Sequence, residues 1–218
     1  MLRFGGSSLD TSSRIWSAAH RVGLHVRGGA SVAVVVSAPP SRGNHLLYWS
    51  QRFGIHPYPT IARELDRAAA ADENLVASIL AAAIIAVGPP AVSFRSEEAR
   101  LEGQGDFGAG TLTDLDAQRV RTHLTSGSVV VLPGGHVHRQ DGETLMLGPQ
   151  AADVTAVALA ERLGAQACHF VIDRDRLHPS RATIHPDALK LARERGLRLE
   201  TYSFRSPLKV ADDPTKSS

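Results

Sequence analysis

Arg3-Phe-Gly-Gly-Ser-Ser-Leu9 and, further on, Ser31-Val-Ala-Val-Val-Val-Ser37 decide how this chain folds. The first stretch ends a strand on paired glycines and leads into Thr11 to Val26. There Ile15, Ala18, Ala19, Val22 and Val26 recur at helical spacing, and Asp10, Thr11 and Ser12 offer caps. The second stretch is a near-continuous β-branched run, the pattern of a strand covered on both faces of a parallel sheet. Gly5 and Gly6 let the backbone approach a ligand closely, and amides at the opening of a helix favour an anion. Gly5, Gly6 and Ser7 are therefore candidate anion contacts, against the plainer reading of a connecting turn.

The alternation continues along the chain. Ala91-Val-Ser-Phe94, Ser128 to Leu132, Cys168 to Ile172 and Leu197 to Phe204 read as strands. Ile61 to Val87, as one long helix or two abutting ones, Thr113 to Leu124, Ala151 to Leu163 and Pro186 to Arg195 read as helices. The first of these stops at Gly88-Pro-Pro90; the last has Pro186 at its start and Gly196 past its end. His136 to Leu147 reads as a β-hairpin around Asp141-Gly142. The expected architecture is α/β, a three-layer αβα sandwich with a mostly parallel central sheet. Residues 206–218 are expected to be a disordered tail.

The chain has 218 residues, enough to bury a sizeable core. Its 24 Lys and Arg against 22 Asp and Glu leave a net charge of +2, so no dense basic field is available for a duplex. Only 5% of residues are aromatic, which poorly supplies a stacking platform for single strands; nucleic acid is not an expected partner. The single cysteine, Cys168, can form neither an internal disulfide nor a four-cysteine metal site, which points to a reducing, cytoplasmic setting. The opening residues hold no secretory h-region. Leu75 to Val87, the longest apolar-rich run, is short of the roughly 20 residues a bilayer span takes, so no membrane partner is expected.

No free-standing motif names a chemistry. No G-x-x-x-x-G-K-[ST] or G-x-S-x-G string occurs. Gly103-Gln-Gly-Asp-Phe-Gly108 matches G-x-G-x-x-G, but it follows the polar Ser96 to Glu102 rather than a strand, and it reads as a mobile glycine loop. His136-Val-His138 would put two imidazoles on one strand face, but no third ligand lies near in sequence. They read as ordinary surface histidines, and no metal site is expected. Cys168 reads as a small core residue.

The order of weaker features carries more. RFGGSSL (3–9), VVVSA (34–38), GPPAVSF (88–94), TLMLG (144–148) ahead of Asp153, and IHPDALKLARERGL (184–197) resemble the catalytic domain of aspartokinase, within the amino acid kinase superfamily. The resemblance runs from residue 2 to about 205. It implies an N-terminal lobe, 1–147, that holds a carboxylic acid acceptor, here a small-molecule ligand such as an amino acid, and that forms a homodimer. It implies a C-terminal lobe, 148–205, for ATP with Mg. Arg3 then stands at the position of a catalytic lysine, and Arg181 stands beside a second one that is Ala182 here. Gly5, Gly6, Ser7, Asp153, Asp173 and Asp175 fall on the phosphate and nucleotide side. Ser37 falls near the transfer point, and Glu73 on the glutamate that meets a substrate amino group. The plainer reading of Glu73 and Asp153 is acids favoured at helix N-termini.

Four departures gather on the nucleotide side. Arginine replaces a compact lysine at position 3. The glycine-rich turn reads Gly148-Pro-Gln-Ala-Ala-Asp153, where Pro149 removes an amide and Ala151 and Ala152 add side chains. The nucleotide segment is Ile172-Asp-Arg-Asp-Arg176, without its hydroxyl and glycine, and the stretch from Asp175 to His185 is shortened. Phosphoryl transfer needs positive charge and backbone donors there. The leading expectation is an aspartokinase-like protein with a degenerate ATP site that binds a small molecule or a partner, with weak or no kinase activity. The alternatives are an active divergent phosphotransferase acting on a carboxylate, or an enzyme that reuses the cleft for other biosynthetic chemistry. Feedback control through C-terminal ligand-binding repeats is not expected.

Overall fold

The β-branched runs Ala33–Val36 and Val129–Pro133 sit at the centre of one parallel sheet because both faces of each are apolar and buried. The computed structural model describes residues 1–39, 52, 61–172 and 184–204. Asp173, Asp175, Arg181, Ala182 and the 206–218 segment lie outside the described residues. The strands are β1 (Leu2–Phe4), β2 (Ala33–Val36), β3 (Ala91–Ser93), β4 (Glu102–Asp106), β5 (Ala109–Asp114), β6 (Val129–Pro133), β7 (His136–His138), β8 (Thr144–Met146), β9 (Ala167–Ile172) and β10 (Arg198–Ser203). The helices are α1 (Ser12–Arg27), α2 (Ala62–Ala86), α3 (Gln118–Thr125), α4 (Ala152–Leu163) and α5 (Pro186–Arg195).

Six strands form the main sheet in the order β10-β9-β1-β2-β6-β3, and every neighbouring pair in it is parallel. Alternate side chains enter two cores. Val34, Val36, Val129 and Val131 pack with Ala18, Val22, Leu80 and Ile84 of α1 and α2. Ala33, Val35, Val130 and Leu132 pack with Val120, Val157, Leu159 and Ala188 of α3, α4 and α5. This is the expected three-layer sandwich. The caps also fall where the sequence puts them. Thr11 accepts from the Arg14 amide at the start of α1, while Pro186 opens α5 and Gly196 closes it at φ 66°.

Two local readings change. The segment read as a glycine loop is the β4–β5 hairpin, its turn allowed by Gly105 at φ 118° and Gly108 at φ 77°. β5 runs on through Thr111-Leu-Thr-Asp114, so α3 begins only at Gln118 rather than at Thr113. The alternation of Thr and Leu there is a strand signal that outweighed the helix caps. The hairpin joins β7 and β8 in a second sheet of order β5-β4-β7-β8, and His136 to Leu147 is the expected Asp-Gly hairpin.

α2 is one helix of 25 residues, long and apolar enough by length and composition to cross a membrane. It buries Val76, Leu80 and Ile84 against the sheet and also two acids, Asp66 and Glu73. Packed beside α1 on one face of the sheet, it is a helix of an outer layer. Asp66 Oδ2 accepts from the Gly108 amide at 2.8 Å and the Met146 amide at 2.9 Å, fastening the small sheet to α2. Arg63 adds a fork to Glu143 at 2.9–3.0 Å.

Cys168 lies in the core as expected, and burial pushes its thiol up to about 12. At the edge where the strands begin, the His25 and His169 rings meet edge-on at 5.7 Å. Burial, and for His25 the neighbouring His169, hold both imidazoles below their ordinary 6.5.

Two outcomes follow from this packing. Asp66→Ala should lower the unfolding free energy by about 2–3 kcal/mol, because two charge-assisted bonds are lost. The Gly108 and Met146 amides should then exchange faster with solvent; unchanged stability and exchange would refute the fastening role. For the histidines, the folded state binds protons less readily than the unfolded one. Their contribution is complete above pH 6.5 and is lost as pH falls through the depressed values. The denaturant midpoint should therefore drop between about pH 7.5 and about pH 5, and drop less in the His25→Asn, His169→Asn double variant. An equal drop in both proteins would refute the assignment.

Candidate functional site

A parallel sheet sends all its strand ends to one edge, so loops far apart in sequence meet there. β1 ends on Gly5, which has open space where a side chain would stand. A Cβ at Gly6 would run into the Ala38 carbonyl after β2, so the two loops approach as closely as a glycine permits. A short 3-10 turn over Gly6–Ser8 follows. The Ser7 hydroxyl is buried and has no hydrogen-bond partner among the described residues, while the Ser7 carbonyl accepts from Arg14 Nη1 at 2.6 Å.

Arg3 is buried beside this turn. Its Nε donates to Asp153 Oδ1 at 3.0 Å, its Nη2 to Ser37 Oγ at 3.0 Å, and its Nη1 to the Phe4 carbonyl. The second Asp153 oxygen accepts from the His185 amide at 3.1 Å, just before α5. Three of the residues singled out in the sequence, Arg3, Ser37 and Asp153, thus form one cluster. Asp153 is near the N-terminus of α4, but both its oxygens serve this cluster. It is more than a helix-dipole acid.

The turn before α4 keeps a glycine-type backbone with one glycine, Gly148. Gly148 has φ 84°, and Gln150, which is not glycine, has φ 64°. The Asp153 and Val154 amides bond back to Gln150 and Ala151 within the turn. Pro149 has no amide to offer.

On the other side of the cluster, Gly134 and Gly135 follow β6. A Cβ at Gly134 would meet Val35 Cγ1 at 2.5 Å and Ala152 at 2.7 Å. Thr155 Oγ1 holds the Gly134 carbonyl at 2.8 Å. A Cβ at Gly135 would meet the Glu73 carboxylate at 2.5 Å. Glu73 sits in the middle of α2, so the reading of it as a helix N-terminal acid is overturned. It is buried, accepts from the Gly135 amide at 2.8 Å, and faces His136 Nδ1 at 3.2 Å.

The histidine pair is divided. His136 is buried on Glu73, against the surface reading, while His138 faces Glu97 at 3.5 Å. Among the described residues no group of three or more His, Cys, Asp or Glu could hold a metal ion. Gly134, Gly135, Gln150 and His185 carry no role in the sequence reading, and His136 reads there as a surface residue. A Gly-Gly pair straight after an apolar strand, as at Gly5-Gly6, is the signal that could have found the two glycines.

Gln150 offers a direct check on the turn. A left-handed conformation costs a side-chain-bearing residue about 1–2 kcal/mol, and glycine returns about 0.5–1 of that as unfolded-state freedom. Gln150→Gly should therefore leave stability unchanged or raise it by up to about 1 kcal/mol in chemical denaturation. A clear loss would mean that the carboxamide itself makes a contact worth more than the strain.

The chain matches the amino acid kinase family over residues 2–199. It is 32% identical over 209 residues to an aspartate kinase of Stutzerimonas stutzeri, covering 96% of this chain and 48% of that protein. It is 33% identical over 210 residues to an aspartokinase of Corynebacterium efficiens, covering 96% and 47%. The chain thus spans about half the length of the curated relatives it matches. Among solved structures, aspartate kinase from Synechocystis superposes with a TM-score of 0.74 at 27% identity, over 94% of this chain and 38% of that one. E. coli aspartokinase III in complex with aspartate and ADP superposes at 0.76 and 18% identity, over 94% and 62%, a likeness of fold alone. With its sandwich, its strand-end cluster and these relatives in agreement, the chain belongs to the amino acid kinase family and is aspartokinase-like.

Proposed function

We propose that this chain binds a small amino acid in an aspartokinase-like cleft and transfers phosphate from ATP weakly or not at all. The observation that carries this reading is the commitment of Arg3. Phosphoryl transfer is helped by positive charge aimed at the moving group. Here the guanidinium gives Nε to Asp153, Nη1 to the Phe4 carbonyl and Nη2 to Ser37, so the protein's own acceptors hold its fork. The Gly148–Asp153 turn adds to this, with Pro149 lacking an amide and Gln150 carrying a side chain where glycine would let phosphate close in. These residues do not fit a nucleoside triphosphate with its Mg. Asp173, Asp175 and Arg181 belong to the same proposal as remaining nucleotide-side groups.

The acceptor side supports binding. Glu73 supplies a buried carboxylate next to the strand-end cluster, and E. coli aspartokinase III, of the same fold, has been solved with aspartate. A second copy of the chain is the partner we propose, through the N-terminal lobe, where Trp16, Leu75, Ile79 and Ile85 are exposed.

A second reading, an active divergent phosphotransferase, is favoured by the Gly5-Gly6-Ser7 turn. It keeps an open backbone and a buried hydroxyl without a partner among the described residues, both suited to an oxyanion.

Titration calorimetry with L-aspartate, then with Mg-ATP, followed by an ADP-release assay with both, separates the two. The proposal expects binding of aspartate, no heat with millimolar Mg-ATP, and ADP release at background. Robust ATP-dependent turnover with aspartate would overturn it in favour of the second reading.

A further inference from the structure

Glu73 lies mid-helix in α2, so no helix end offsets its charge. Both its hydrogen bonds fall on one oxygen, for the Gly135 amide and His136 Nδ1 both reach Oε2, at 2.8 Å and 3.2 Å. A carboxylate only accepts, so the His136 proton that makes this bond sits on Nδ1. Oε1 carries no hydrogen bond among the described residues. It occupies the space where a side chain at position 135 would begin, 2.5 Å from such a Cβ. Among the described residues no Lys or Arg lies within ion-pair distance of Glu73; the one basic side chain against it is His136, of which 1% is exposed. A buried carboxylate with one oxygen pinned and the other free is short of a positive partner.

We propose that His136 is the positioning residue of an ammonium-binding site. By pinning Oε2 it presents Oε1 to the α-ammonium of an amino acid, so the cleft selects amines over their desamino analogues. The inference rests on the amino-acid-binding reading above and adds the residue that makes its carboxylate selective. Gly135 contributes by leaving Oε1 its place.

The test is equilibrium binding of L-aspartate and of succinate, the same dicarboxylate without the amine, to the wild-type chain, His136→Asn and His136→Leu. Asparagine can place an amide N–H near the Nδ1 position; leucine cannot. The wild type should prefer aspartate by about tenfold or more, the scale of one hydrogen bond to a charged group. His136→Asn should keep that ratio within about threefold. His136→Leu should bring it close to one with succinate affinity unchanged, which loss of structure alone would not do. A folded His136→Leu protein with the wild-type ratio overturns the inference. If that variant does not fold, Gly135→Ala takes its place, since its methyl displaces Oε1 and should lower the ratio; an unchanged ratio there is equally fatal. A wild type that binds both ligands equally overturns this inference alone. A wild type that binds neither overturns the amino-acid reading, and this inference with it.

Discussion

A guanidinium and a carboxylate, 150 residues apart in sequence and both nearly out of reach of water, meet where β1 ends and α4 begins. Neither could be buried there alone, because an unpaired charge in such a place costs several kcal/mol. Arg3 therefore needs Asp153, and Asp153 in turn draws in the His185 amide at the head of α5. The pair fixes where the first strand stands relative to the helices of the opposite layer. It also fixes which loops face one another across the strand-end edge.

That constraint gives two parts of the strand-end edge different surroundings. Around Arg3 the protein's own acceptors take up the cation, and the turn before α4 holds a left-handed residue that is not glycine. Around Glu73 the packing is tight. Gly134 and Gly135 are pressed against Val35, Ala152 and Glu73, and the carboxylate of Glu73 keeps one oxygen free of hydrogen bonds among the described residues.

Much of the fold was legible because the signals were local. The β-branched run of β2 is covered on both faces by side chains in strict alternation, and Thr11, Pro186 and Gly196 sit at the helix ends their chemistry favours. The β4–β5 hairpin was not legible. Its glycines read as a loop, and β4, the strand that carries two of them, has its second neighbour in β7, which lies far along the chain. Within the site, Arg3, Ser37, Asp153 and Glu73 could be named from motifs. His136 could not, because a lone imidazole in a strand says nothing about a helix 63 residues earlier.

Sequence alone determined the layers, the caps of α1 and α5, and the family, since each depends on residue type at a fixed spacing. Tertiary structure alone decided what those residues do to one another. It locked Arg3 onto Asp153, moved Glu73 from a supposed helix end to a buried mid-helix position, and set His136 against it. The reason is physical: spacing along a chain fixes direction within one element, whereas burial and charge pairing depend on which elements the sheet brings together.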